Sequence, residues 1–130
     1  MLIDTKLLDK VSCQAAESPR LRMNYNLHEY LNAPAQRLLN ALEPGTVLPI
    51  HRHNNTDETY ILLRGRIDVM FYSADGTETD RFYLNPLTGN YGVQIPLGQW
   101  HTLEVLESSV ILEVKDGPYT PLSLEDILPR

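Results

Sequence analysis

Between Gly45 and Gly65 the chain reads GTVLPIHRHNNTDETYILLRG. His51 and His53 are separated by a single residue, and four residues separate the second histidine from Glu58. On an extended strand, positions i and i+2 share a face, so both imidazoles point the same way. The polar run Asn54-Asn55-Thr56-Asp57 turns the chain, and Glu58 opens the next strand. Two imidazole nitrogens and one carboxylate then converge on a point, a mixed donor set that suits a divalent transition metal. A chain carrying this arrangement is committed to strands and tight turns over its middle third.

A second stretch, GVQIPLGQWHTL over residues 92–103, supplies a third imidazole. The Pro96-x-Gly98 turn cannot continue a regular strand and redirects the chain just before His101, a candidate fourth ligand. Around these stretches the period is two. Arg20, Arg22, Asn24, Asn26 and His28 alternate with Leu21, Met23, Tyr25 and Leu27, which predicts a strand over 20–28 with a polar face. That face is either solvated or lines a pocket mouth, where Arg22, Asn24 and Asn26 would suit an anionic or hydroxyl-rich ligand. Further strands are expected over 36–42, 58–63, 66–72, 78–84, 102–107 and 110–115. Turns are expected at Arg64-Gly65, Asp75-Gly76 and Ser108-Ser109. Residues 2–17 repeat Leu2, Leu7, Leu8, Val11 and Ala15 at helical spacing, with Asp4 as N-cap and Ser18-Pro19 as the stop. Cys13, inside this helix, reads as a small apolar filler. Ser123 and Asp126 predict a capped short helix over Leu124–Leu128.

At 130 residues and 42% hydrophobic, one domain with its own core is expected. The single cysteine excludes an internal disulfide framework and fits a cytoplasmic location. A formal charge of −6, with no basic cluster beyond Arg20 and Arg22, argues against nucleic acid as partner. The first ten residues mix charges, so no secretory signal is expected, and no apolar run is long enough to span a membrane.

The spacing from Gly45 through His51, His53 and Glu58 to Gly65 resembles the first motif of the cupins, and Pro96-x-Gly98-x-x-His101 resembles the core of their second. Gly89 lies one residue further from Pro96 than that motif asks, and Val105 stands where it usually ends in Asn. The resemblance implies an all-β fold, a double-stranded β-helix or jelly-roll barrel with short terminal helices. The single cupin domain would run over 1–130, with the helix in 1–18, the barrel in 20–116 and a tail in 117–130. It also implies one bound divalent ion (zinc, iron, manganese or nickel) held by His51, His53, Glu58 and His101, and a homodimer. A narrower resemblance runs through SPRLRMNYNLH, IPLGQWHT and LEVKDGPY, which are similar to the small WbuC-type cupin metalloproteins associated with bacterial surface-polysaccharide gene sets.

Beside the metal, Tyr60 is a candidate proton donor if it shares the inward face of Glu58. Trp100 offers a stacking wall for a carbohydrate, or ordinary core. Glu113 and Lys115 share a strand face that either reaches the pocket or forms a surface ion pair. No nucleotide loop, nucleophile elbow or CxxC occurs, so any chemistry belongs to the metal. The leading expectation is isomerase- or epimerase-like Lewis-acid chemistry on a sugar or sugar derivative, a substrate class that rests on family analogy. The alternatives are a non-catalytic, metal-anchored ligand-binding module and an iron-dependent oxygenase.

Overall fold

The computed structural model describes residues 1–129. Its frame is a pair of long antiparallel strands, β4 (Glu58–Tyr72) and β7 (Trp100–Asp116), paired with each other along nearly their whole length. The shorter strands attach to the free edges of this ribbon. At one end β2 (Ala35–Leu42) pairs with the last part of β7, β1 (Arg22–Asn26) with β2, and β6 (Gly92–Ile95) with the start of β4. At the other end β3 (Ile50–His51) pairs with β7 at His101, β8 (Ile127–Leu128) with β3, and β5 (Glu78–Leu84) with the end of β4. The two ends thus form two five-stranded faces that share β4 and β7. Between them lies the core: Leu42, Leu62, Ile67, Val69, Leu103 and Ile111 are all buried there. This is a double-sheeted jelly roll.

Over the first residues of β4 the alternation in the sequence maps onto burial. Glu58, Tyr60 and Leu62 point inward, while Ile61 and Leu63 face out. Two expected turns are instead bends within continuous strands. Gly65, at φ +97°, and Ser109 sit where the β4–β7 register shifts. Pairing survives because the Ser109 hydroxyl takes over displaced ladder groups: it accepts from Arg66 N (3.1 Å) and donates to Glu107 O (2.7 Å). The Asp75-Gly76 hairpin forms as expected between β4 and β5, with Gly76 at φ +86°.

Helix α1 (Thr5–Glu17) lies on the outside of the barrel, where Val11 and Ala15 pack on Leu39, Ala41 and Val110. Leu2 precedes the helix and is exposed, and Cys13 is on the solvent face rather than filling space. Asp4 caps the helix by accepting from Leu7 N at 3.0 Å. Asp4→Ala is therefore expected to lower the unfolding free energy by about 1 kcal/mol in urea titration; an unchanged midpoint would mean that the helix is held by its apolar face alone. The helix expected over Leu124–Leu128 is one 3-10 turn, Leu124–Asp126, followed by β8. Asp126 is held by Arg52 (3.1 Å) and Asn54 (2.6 Å), and these contacts draw the segment alongside β3, where strand pairing overrides local propensity. Among the described residues no helix is long and apolar enough to cross a membrane.

Candidate metal centre

On the β4–β7 ladder, Glu58 stands opposite Lys115 and Phe71 opposite His101. Laid straight, the thirteen positions from Glu58 to Phe71 would separate Glu58 from His101 by roughly 40 Å. In the folded chain Glu58 Oε1 lies 3.6 Å from His101 Nε2. The bends at Gly65 and Ser109 fold the ribbon back on itself and bring the two motifs together. The loops complete the closure: Gly98 N donates to His53 O (2.8 Å), and Leu97 N donates to the Asp57 carboxylate (2.6 Å). Gly98 holds φ +78°, as the third position of the Pro96–Gln99 turn requires.

His51, His53, Glu58 and His101 each offer one donor atom, all within 4.8 Å of one another. The Nδ1 atoms of His51 and His101 lie 2.9 Å from Pro49 O and 2.8 Å from Gln99 O. A carbonyl can only accept, so both Nδ1 atoms carry the hydrogen, and each neutral ring presents an Nε2 lone pair to the cluster. Burial, ahead of the neighbouring charges, pushes His51 down to about 4 and His101 down as well, so both rings are neutral near pH 7. Burial alone would raise Glu58, but His53, His101 and Lys115 outweigh it and hold the carboxyl at about 2. His53 Nε2 approaches Glu58 Oε1 to 2.8 Å. Glu58 Oε1 and His101 Nε2 are both buried with no hydrogen-bond partner among the described residues. Two such acceptors facing each other are costly unless a cation lies between them. The donor set therefore fits a divalent metal, with three neutral imidazoles and one carboxylate.

A cavity of about 250 Å³ opens beside the cluster, walled by Tyr60, Glu113, Lys115 and Arg22 as well as by His51, His53 and Glu58. Tyr60 is buried, and burial with the charges of Glu58 and Glu113 raises its hydroxyl pKa well above 10. Glu113 and Lys115 face this cavity, 3.7 Å apart, rather than forming a surface pair. The remaining predicted residues are placed elsewhere. Trp100, next to His101 on the strand, points to the other face, where the Arg52 guanidinium covers its ring at 4.5 Å. Asn24 lines a neighbouring cavity and Asn26 is exposed beside neither. His28 is buried and is not part of the cluster; its Nδ1 lies 3.1 Å from Arg37 N. Asn40 and Tyr119 also reach the cavity wall, and the sequence pattern did not single them out for it. Asn40 arrives through the pairing of β2 with β7, opposite Ile111. Only the LEVKDGPY block hinted at Tyr119.

Burial, reinforced by the Glu58 charge, pushes the Glu113 carboxyl up to about 7 from 4.5. Between those values the folded chain keeps a proton that the unfolded chain has released, so this group's contribution to stability is lost as pH rises from 4.5 to 7. His51 acts in the opposite sense, its contribution being lost as pH falls from 6.5 towards 4. Comparing metal-free wild type with Glu113→Gln in urea at pH 5 and 7.5 isolates the first effect. The variant is expected to gain relative stability with pH, by at most about 1.4 kcal/mol per unit. Identical pH slopes would contradict the burial argument.

The model of the family described as "Domain of unknown function (DUF6016)" matches residues 3–84. No match was found among curated proteins. Among solved structures, the chain is similar to the capsular polysaccharide assembling protein CapF from Staphylococcus aureus. The TM-score is 0.60 and the identity 18%, over 76% of this chain but 30% of that one. A cupin-2 domain containing protein from Shewanella frigidimarina NCIMB 400 matches with TM-score 0.55 and 21% identity, over 73% of this chain and 80% of its own. TT1209 from Thermus thermophilus matches with TM-score 0.60 and 22% identity, over 88% of this chain and 95% of its own. At these identities the likeness shows the fold, a cupin jelly roll.

Proposed function

For this chain, which belongs to the family described as "Domain of unknown function (DUF6016)", we propose a metal-dependent small-molecule enzyme of the WbuC-type cupin group. Its reaction is isomerase- or epimerase-like, on a sugar or sugar derivative of bacterial surface-polysaccharide metabolism. The observation that carries the reading is the His51–His53–Glu58–His101 cluster beside a cavity whose wall also carries the ionisable groups Tyr60, Glu113 and Lys115. The polysaccharide context draws on the name of CapF, of whose length this chain spans 30%, and is an analogy of fold.

A divalent ion held by the four residues supplies Lewis acidity towards a carbonyl or hydroxyl oxygen. The chain supplies the rest. Glu113, held at about 7, both accepts and returns a proton near neutral pH, as proton transfer at a carbon beside a carbonyl requires. Lys115, 3.7 Å away, steadies the Glu113 carboxylate once the proton is lost. Tyr60, kept as a neutral phenol by burial, offers a hydroxyl for orienting a sugar oxygen. Leu48, Pro49 and Leu103 line the same cavity and limit water there.

The test begins with elemental analysis of protein purified without a metal-affinity tag, followed by incubation with candidate sugars in heavy water. The expected result is about one divalent ion per chain and metal-dependent exchange of deuterium into the carbon next to a carbonyl, abolished in Glu113→Gln. Bound metal and sugar binding without exchange would replace this reading with the metal-anchored binding module. Iron with sugar-dependent oxygen uptake would replace it with the oxygenase. A homodimer and a cytoplasmic location remain part of the proposal, to be checked by sedimentation and fractionation.

A further inference from the structure

Arg20 and Arg22 belong to a chain of net charge −6, yet neither guanidinium meets a carboxylate among the described residues. They flank Leu21, which holds φ +58°. A non-glycine side chain is strained in that region. The strain is fixed from below, where Leu21 O accepts from Glu43 N and from the Thr46 hydroxyl, each at 2.9 Å. The result is that both arginines line one open cavity of about 450 Å³, with Ser18, Asn24, Asn40 and Tyr119.

Three of these residues, Arg22, Asn40 and Tyr119, are also walls of the cavity beside Glu58. The two spaces share a side. On that side the Asn40 side chain faces Glu113, and its Oδ1 is buried with no hydrogen-bond partner among the described residues, an acceptor with room for a further donor. Burial, and then the charge of Arg20, push the Arg22 guanidinium below its usual range. Like charges placed side by side without a counter-ion repel, and a dianion that bridges them removes the repulsion while using the planar forks of both. A singly charged carboxylate would neutralise only one.

We propose that Arg20 and Arg22 form a phosphate subsite, so that the substrate is a phosphorylated, hydroxyl-bearing small molecule whose phosphate sits on these arginines. A hydroxyl of the same molecule donates to Asn40 Oδ1, and its reacting end lies between Glu58 and Glu113. The last part rests on the functional reading above, whereas the subsite itself does not.

Inorganic phosphate is the probe, titrated calorimetrically into the purified chain, Arg20→Gln and Arg22→Gln at constant ionic strength set with chloride. Metal content is recorded for each protein. Saturable one-to-one binding is expected in wild type, weakened by about tenfold or more in each variant, since a charge-assisted hydrogen bond carries that much. Arg22→Lys should recover only part of it, because the fork is lost. Absence of saturable binding in wild type, or equal affinity in wild type and both glutamine variants, overturns the subsite. Acetate binding as tightly as phosphate overturns the assignment of a dianion. Phosphate binding that ignores the arginines but vanishes when metal is removed overturns the subsite and leaves the metal centre standing. Arginine-dependent binding in a chain that takes up no metal does the reverse.

Discussion

His101→Ala is expected to empty the centre while leaving the barrel folded. His101 is 2% exposed and sits on β7 opposite Phe71, so its removal leaves a small void and strands Gln99 O, which accepted from Nδ1 at 2.8 Å. A stranded acceptor costs about 1–3 kcal/mol, which a fold worth about 5–15 kcal/mol survives. The effect on metal is much larger. Losing an outer hydrogen-bond partner of a ligand already costs about 10–100-fold in affinity, so loss of the ligand itself should exceed ~100-fold. Metal-to-chain ratio after dialysis, read beside far-ultraviolet circular dichroism, measures both halves of the statement. A second readout is thermal: a ligand at a thousand times its Kd stabilises the folded state by about 4.1 kcal/mol. Added metal should therefore raise the wild-type Tm and leave that of His101→Ala unmoved. An unchanged metal ratio in a folded variant would remove these four residues from consideration as the site.

What the sequence made legible here was local. His51, His53 and Glu58 are separated by spacings that strand geometry turns into a common direction, and the Pro96-x-Gly98 turn announces His101 from three residues away. Glu113 and Lys115 could be placed on one face by alternation alone. What stayed hidden depended on register between distant strands. Asn40 reaches the cavity because β2 pairs with β7, and Arg20 lines the neighbouring cavity beside a Leu21 whose left-handed backbone is anchored on Glu43 and Thr46. Trp100 shows the limit from the other side: being adjacent to His101 in a strand puts it on the opposite face. Turn chemistry was ambiguous for a related reason. Arg64-Gly65 and Ser108-Ser109 carry the residues of turns, but each lies across from the other in the ladder, and together they bend a strand pair instead of ending it. Near the end of the chain, Asp126 accepts from the Ser123 hydroxyl as its spacing suggests (3.0 Å), but it is also bound by Arg52 and Asn54 from another part of the chain.

The same bend yields the second large expectation, that Gly65→Ala destabilises the fold and loosens the metal centre together. Gly65 holds φ +97°, and a Cβ built there would fall 2.2 Å from Ser109 Oγ, 2.5 Å from Ser108 O and 2.6 Å from Ser109 Cα. Two of those atoms are backbone, so β7 itself must move. The dihedral contributes about 1–2 kcal/mol and overpacking about 1–3 kcal/mol. A total of about 2–5 kcal/mol is expected, read from urea unfolding of the metal-free chain. Gly76→Ala separates the two causes, because Gly76 has a similar φ, +86°, with nothing within 4 Å of the added carbon. It should lose only the dihedral part. The functional consequence follows from the ladder: Glu58 and His101 stand thirteen positions apart along it and meet only because the ribbon folds at Gly65 and Ser109. A shift of β7 there changes the angle between the halves that carry them, so Gly65→Ala should weaken metal binding although it touches no ligand, and Gly76→Ala should not. Equal destabilisation in both variants, with metal affinity unchanged, would show that the bend yields to a methyl group and that the centre is positioned by the loops at Asp57 and Gly98 alone.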